Sequence, residues 1–300
     1  MELSQLKIPT HVSVIMDGNG RWAKKKGKPR TFGHKRGAEV VMDICRDADD
    51  LGIKYMTIYA FSTENWSRPD LEVKTLMLLF GKYLKICYDE AMKNNMRVRI
   101  IGDTSVLAPD LQERIRVLEE DTKTFTGFNL QIAINYGSRD EMLRAMKRMM
   151  KDYKDGRISE DDVNEARFGS YLDTADIPDP DLMIRTSGEL RLSNYLMWQH
   201  AYSEFYFTDT PWPDFNKAEL VKAIEAYTAR DRRYGKVEVI TYCLKETGTQ
   251  YRTANHPMYC CANHVPGLNR SQYVSCSPRE AHTAKPQNYV RAPVHVTDCL

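Results

Sequence analysis

The stretch His11-Val-Ser-Val-Ile-Met-Asp17-Gly18-Asn19-Gly20-Arg21-Trp22-Ala-Lys24-Lys25-Lys26-Gly-Lys28-Pro-Arg30 decides the fold. A short apolar strand, Val12–Met16, runs into a loop of two glycines, one acid and one amide, and then into a dense basic segment. Glycines let the backbone approach a ligand, and N–H groups at a helix start point at an anion. The single carboxylate, Asp17, stands where it could hold Mg²⁺ against a phosphate. A diphosphate with a metal suits such a loop. No Gly-Lys-Ser/Thr closes it, so it is not the Walker pattern of nucleotide-binding proteins. A Gly-Asn-Gly loop alone is more often a plain turn, and Lys24–Lys26 also reads as a solvated helix face.

Outward from this loop, strand and helix patterns alternate. Val12–Met16, Tyr55–Phe61, Val98–Gly102, Leu130–Asn135, Leu182–Arg185 and Glu204–Phe207 read as short buried strands. Val40, Val41, Ile44, Ala48 and Leu51 share one helix face, which Gly52 ends. Further helices are expected near 71–93, 109–121, 138–152 and 216–230. The alternation predicts an α/β fold with a mostly parallel central sheet of about six strands flanked by helices. Ligands of such sheets bind beyond the carboxyl ends of the strands. Asp17, Ser62, Arg185 and Glu204 fall at or near strand edges and are expected to converge. Leu76-Met-Leu-Leu-Phe80 is apolar all round and reads either as a buried helix or as the wall of a hydrophobic tunnel.

Two further constellations carry polar chemistry. Ser62-Thr63-Glu64-Asn65-Trp66-Ser67-Arg68 follows a strand and offers donors, an acid, an indole and an arginine; the plain alternative is a capping turn before Pro69. Arg185-Thr-Ser-Gly-Glu189-Leu-Arg191-Leu192-Ser193-Asn194 places two arginines six apart with serines, which suits a second anion site or a surface loop. Arg30 and His34 flank the first loop, and arginine grips phosphate oxygens bidentately.

The first stretch, with Gly33-His34-Lys35-Arg36-Gly37, Tyr59-Ala-Phe61-Ser62-Thr63-Glu64-Asn65-Trp66-Ser-Arg68-Pro69, Arg99-Ile-Ile-Gly102-Asp103, Asn135-Tyr136-Gly137, Ile184-Arg185-Thr186-Ser187-Gly188-Glu189 and Phe207-Thr-Asp-Thr-Pro-Trp212-Pro-Asp-Phe215, resembles the signature of the cis-prenyltransferases, the undecaprenyl diphosphate synthase family. The resemblance covers about residues 8 to 235. It implies repeated condensation of isopentenyl diphosphate onto farnesyl diphosphate in a homodimeric, Mg²⁺-dependent enzyme. It implies Asp17 as metal ligand and catalytic residue, Asn65 as catalytic residue, and Glu204 as a second metal-linked carboxylate, from the same active site or from the vicinity of the partner subunit. It places substrate on Gly18, Asn19, Gly20, Arg21, Trp22, Arg30, His34, Ser62, Thr63, Glu64, Trp66 and Arg68. Arg185, Arg191, Leu192 and Ser193 would receive isopentenyl diphosphate. Phe128 matches a bulky position at the closed end of the family's tunnel. A non-catalytic partner subunit of this family would lack the loop aspartate and arginines, which are present here.

Composition bounds the rest. A net charge of +2 gives no case for a nucleic-acid partner. No run of about 18 apolar residues exists, so no segment reads as a membrane span, and Met1 to Pro9 lacks the apolar core of a signal peptide. A cytoplasmic location follows as the expectation, with transient contact at the inner membrane face for release of a lipid product. Asp161-Asp162-Val-Asn-Glu165 loosely resembles the aspartate-rich motif of trans-prenyl synthases, but Ser159 before an acidic turn explains it as a cap. After Gly235 the character changes: 11 charged residues occupy the last 65 positions against 73 in the first 235. Residues 1–235 are expected to form the catalytic domain. Residues 236–300 read as an irregular tail, either an appendage or the product of a shifted frame. Five of the seven cysteines lie there, and His256, Cys260, Cys261 and His264 match no common zinc spacing.

Overall fold

Six apolar runs form parallel strands: β1 (His11–Ile15), β2 (Tyr55–Ser62), β3 (Arg97–Ile101), β4 (Asn129–Tyr136), β5 (Leu182–Arg185) and β6 (Glu204–Phe207). The computed structural model describes residues 5–230 and two later strands, β7 (Thr241–Lys245) and β8 (Gly248–Arg252). The six-stranded sheet has the order β3-β4-β2-β1-β5-β6. Strands in such a sheet are covered on both faces, which is why they read as continuous apolar runs. The helices are α1 (Asn19–Lys25), α2 (Arg30–Asp50), α3 (Asp70–Asn94), α4 (Pro109–Thr122), α5 (Ser138–Lys154), α6 (Glu165–Gly169) and α7 (Lys217–Thr228). Helix α2 begins well before its apolar face, directly after Pro29, and Gly52 with φ of 90° follows its end.

The two faces of the sheet differ in chemistry. Val12 and Val14, both fully buried, share the larger core with Met56, Ile58, Leu130, Val40, Ile44 and Leu118. Each such side chain contributes about 1.5–3 kcal/mol by leaving water. The alternate residues of β1 face a smaller cluster around Ile15, Ala133, Met183 and Tyr195. That face also carries a buried polar row, in which His11 Nε2 lies 2.8 Å from Thr57 Oγ1 and Thr57 donates to Gln131.

Ser159 and Asp162 form a reciprocal cap around the short turn Glu160–Asp162, as their spacing suggested. The tail departs from its irregular reading at one place: β7 and β8 pair antiparallel, Thr241 against Arg252 and Lys245 against Gly248. Threonine and tyrosine, abundant in both segments, favour strands. By internal contacts the chain divides into Met1–Arg232 and Arg233–Leu300. The histidine and cysteine group at 256–264 lies outside the described residues.

Candidate active site

Strand order reverses at β1, which pairs with β2 on one side and β5 on the other. The crevice beyond the carboxyl end of such a strand is where α/β sheets bind ligands. Asp17 occupies it. Its amide donates to Thr186 Oγ1 at 2.9 Å, and its carbonyl accepts from the Trp212 amide at 3.0 Å. Gly18 follows with φ of 98°, and a Cβ there would stand 2.6 Å from Ser187 Oγ, so only glycine fits. Its N–H donates to Asp17 Oδ1 at 2.7 Å; the turn therefore aims the carboxylate, and this amide is not free for a phosphate.

Arg185, at the end of β5 and 3% exposed, donates to Asp17 Oδ2 at 3.0 Å and to Ser193 Oγ at 2.8 Å. It also donates to the Arg191 carbonyl. Burial opposes ionisation of Asp17, but the Arg185 hydrogen bond, the Gly18 N–H and the charges of Arg185 and Arg21 outweigh it and hold the carboxyl below its ordinary range. Glu189 pairs with both Arg21, at 2.8 Å, and Arg191. Ser187, Ser193 and Asn194 all have φ between 51° and 74°, a conformation that costs about 1 kcal/mol or more and clusters at functional sites. Asn194 holds this loop in place: it donates to Glu64 at 2.9 Å and accepts from the Arg139 amide at 2.9 Å.

The other wall comes from α2 and the start of α3. Glu72, in the first turn of α3, gathers Arg30 at 3.3 Å, Arg68 at 3.1 Å and His34 at 3.8 Å. Arg30 lies over the first loop, where a Cβ on Gly20 would be 2.9 Å from its guanidinium carbon. Burial, then the charge of Arg68, push His34 down to about 4 against the pull of Glu72, so it is neutral near pH 7. His34 Nε2 and Arg185 Nε are buried without a hydrogen-bond partner among the described residues. Ser62 and Asn65 form a reciprocal cap, with Asn65 Oδ1 accepting from the Ser62 amide at 3.2 Å. The register of β2 shifts between Tyr59 and Ser62, a bulge that turns the strand end into the site.

A cavity of about 790 Å³ joins these groups. Asp17, Asn19, His34, Ser62, Glu64, Asn65, Arg68, Arg185, Arg191 and Ser193 line its polar end. Behind them it runs between α2, α3 and the sheet, lined by Met42, Leu76, Met77, Leu79, Phe80, Leu84, Cys87, Leu130 and Ile132. The all-apolar stretch of α3 is thus not buried all round: four of its five residues face the cavity, while Leu78 is 77% exposed. Leu130 is the last β4 side chain on the cavity; Phe128 lies one rung beyond, lining a separate depression with Cys45 and Met96.

Not every expected residue joins the site. Glu204 pairs with Leu182 at the start of β5, three residues and about 10 Å from the Arg185 end. Its carboxylate accepts from Arg230 at 2.8 Å, so this chain does not bring it to Asp17. Trp22 stacks on Phe32 and donates to Asp214 at 2.8 Å. Trp66 donates to Asn135 at 2.7 Å, Thr63 packs against Gly137, and Leu192 belongs to the smaller core. Gly18, Gly20, Arg21 and Arg30 surround the polar end without lining the cavity. Conversely Glu72 and Arg139 belong to the site and carry no local motif that marks them, while Tyr59 and Asn194, quoted in their motifs without a role, also line the cavity.

A charged pocket opening into an apolar cavity defines a class: a protein that holds an amphiphile by an anionic head and a greasy tail. Among described residues no three His, Cys, Asp or Glu side chains could hold a metal together. One carboxylate among cations does fit Mg²⁺, which takes one or two carboxylates and completes its shell with phosphate oxygens and water.

Comparison with known proteins agrees with this class. Residues 15–235 match the family described as "Putative undecaprenyl diphosphate synthase". The chain is similar to isoprenyl transferases of Clostridium perfringens, 51% identical over 77% of this chain and 92% of the relative, and of Agrobacterium fabrum, 50% identical over 76% and 92%. Among solved structures it resembles lavandulyl diphosphate synthase from Lavandula x intermedia in complex with dimethylallyl diphosphate. That match has a TM-score of 0.74 and 36% identity and covers 76% of this chain and 99% of the other. A probable undecaprenyl diphosphate synthase from Campylobacter jejuni matches with a TM-score of 0.64 and 33% identity, covering 77% and 100%. The chain belongs to the undecaprenyl diphosphate synthase family of isoprenyl transferases and is a prenyltransferase.

Proposed function

We propose that the chain condenses isopentenyl diphosphate repeatedly onto farnesyl diphosphate and stops at undecaprenyl diphosphate, the lipid carrier precursor for cell-wall synthesis. One observation carries this reading: the Asp17, Arg185 and Ser193 cluster sits at the mouth of an apolar cavity that continues between α3 and the sheet. A diphosphate head and a growing hydrocarbon tail need these two environments side by side.

The allylic diphosphate lies against the first loop, with Asn19, Arg21, Arg30 and neutral His34 donating to its oxygens, and its tail enters the cavity. Arg185, Arg191 and Ser193 take the diphosphate of isopentenyl diphosphate. The allylic carbon–oxygen bond breaks as the isopentenyl double bond forms the new carbon–carbon bond, and a proton leaves to create a cis double bond. Asn65 is an amide and a poor base; it positions the reacting group or a water, and a diphosphate oxygen accepts the proton. Mg²⁺ at Asp17 would supply positive charge for the departing diphosphate. Donors fixed in place before the reaction stabilise that developing charge without reorganising. Burying a tail is worth about 0.8 kcal/mol per methylene as an upper bound, so the finished product leaves slowly.

The enzyme acts in the cytoplasm as a homodimer, in contact with the membrane when product departs. Incubation of purified protein with labelled isopentenyl diphosphate, farnesyl diphosphate and Mg²⁺ tests the reading. Label in lipid-extractable products that lengthen with time supports it; no incorporation marks a non-catalytic subunit and rejects it.

A further inference from the structure

Helix α3 presents two faces of different character. Its inner face, including Met77, Phe80, Leu84 and Cys87, walls the cavity. On the opposite face the exposed positions are Leu71, Lys74, Leu78, Lys82 and Lys85. Their spacing of three, four, four and three residues makes one stripe along the helix. Leu71 and Leu78, 79% and 77% exposed, are the most exposed large apolar side chains among the described residues. No ion pair among the described residues engages Lys74, Lys82 or Lys85. Acids are sparse on this face, Asp70 at its start and Asp89 beyond Lys85.

We infer that this stripe docks the protein on an anionic lipid bilayer. Leucine tips enter the headgroup boundary while lysines meet anionic headgroups, the arrangement of helices that lie in a membrane interface. The same three like charges repel a second copy presenting this face, so charge complementarity favours lipid over self-association. The benefit rests on the function proposed above: docking through α3 sets the cavity wall against the bilayer, where a long polyprenyl tail can leave water-free.

Co-sedimentation of the full chain with vesicles tests this. Wild type is expected to bind vesicles of phosphatidylglycerol and phosphatidylcholine and to stay free of pure phosphatidylcholine. K74E/K82E/K85E and L71S/L78S should each lower partitioning at least tenfold. A charge-matched control on other surfaces, K54E/K123E/K222E, should bind as wild type. Detergent-supported turnover of the stripe variants should remain that of wild type, which shows them folded. Absence of wild-type binding, equal loss in the control, or undiminished binding by both stripe variants overturns the inference. So does a change of oligomeric state in the stripe variants. Failure of the function itself appears separately, as absent isopentenyl incorporation by wild type.

Discussion

Asp17 is the residue on which most of the site turns, since its carboxylate meets Arg185, Arg21 and the Gly18 amide at once. Asp17→Ala is expected to lower turnover about 10²–10³-fold or more, the usual cost of losing a preorganised transition-state contact. Circular dichroism should show the fold retained; near-normal turnover at saturating Mg²⁺ would reject the role. A second prediction concerns acid. Burial, the largest influence in each case, pushes His11 and His34 down to about 4 and His200 to about 3. Unfolded histidines bind protons below about pH 6.5, and the folded ones do so only near their lowered values. Protons therefore favour unfolding as pH falls from about 6.5 toward 4, by up to about 1.4 kcal/mol per pH unit for each histidine. Melting temperature should fall over this window, and more gently in His11→Gln, whatever that variant's stability at neutral pH; an equal slope would mean that His11 is charged in the fold. Asp17, held low, adds its own loss only below the ordinary carboxylate range. At this scale the sequence was legible where motif and strand end coincide, as at Asp17, Ser62 and Arg185. At Glu204 nearness to a strand did not say which end, and the β5–β6 register sets it beside Leu182, away from the Asp17 of its own chain. Glu72 was illegible because the arginine it draws from the other wall, Arg30, lies 42 residues away in sequence, and Asn194, although quoted in its motif, gave no sign of its role because its partner Glu64 lies 130 residues away.

Among the elements, α3 and β4 set the room for product. Apolar runs bounded by helical patterns placed all six strands within a residue or so, and Gly52 ended α2 as read, since these signals are local. Which side of α3 meets a cavity was not local: Leu76–Phe80 has no polar face, and only packing against the sheet divides it. Cys87 lines the cavity and is buried. Cys87→Phe should shorten the products, at an overpacking cost of about 1–3 kcal/mol. Phe128→Ala removes the rung beyond Leu130, next to a depression that shares Met42 with the cavity. It should lengthen them. Thin-layer or mass analysis of dephosphorylated products decides both; an unchanged distribution from stable variants would place the cavity's end elsewhere.

For the whole molecule, the apolar surface that remains bears on assembly. Leu143, Met146, Met150 and Tyr153 are 50–65% exposed and recur along one face of α5. They suit the proposed homodimer, and M146K/M150E should yield monomers by light scattering where wild type gives dimers. Truncation after Gly235 should keep activity and melting temperature, because the family match ends there; loss of either would give the tail a role. The central claim, that one site both joins the diphosphates and feeds a tail into the cavity, is tested most directly by a product time course. Limiting labelled farnesyl diphosphate is mixed with excess isopentenyl diphosphate and Mg²⁺, and chain lengths are followed. The account predicts that label passes through successive products, each five carbons longer, to a narrow final length. Accumulation of a single one-step product, or label that stays in farnesyl diphosphate, would contradict it.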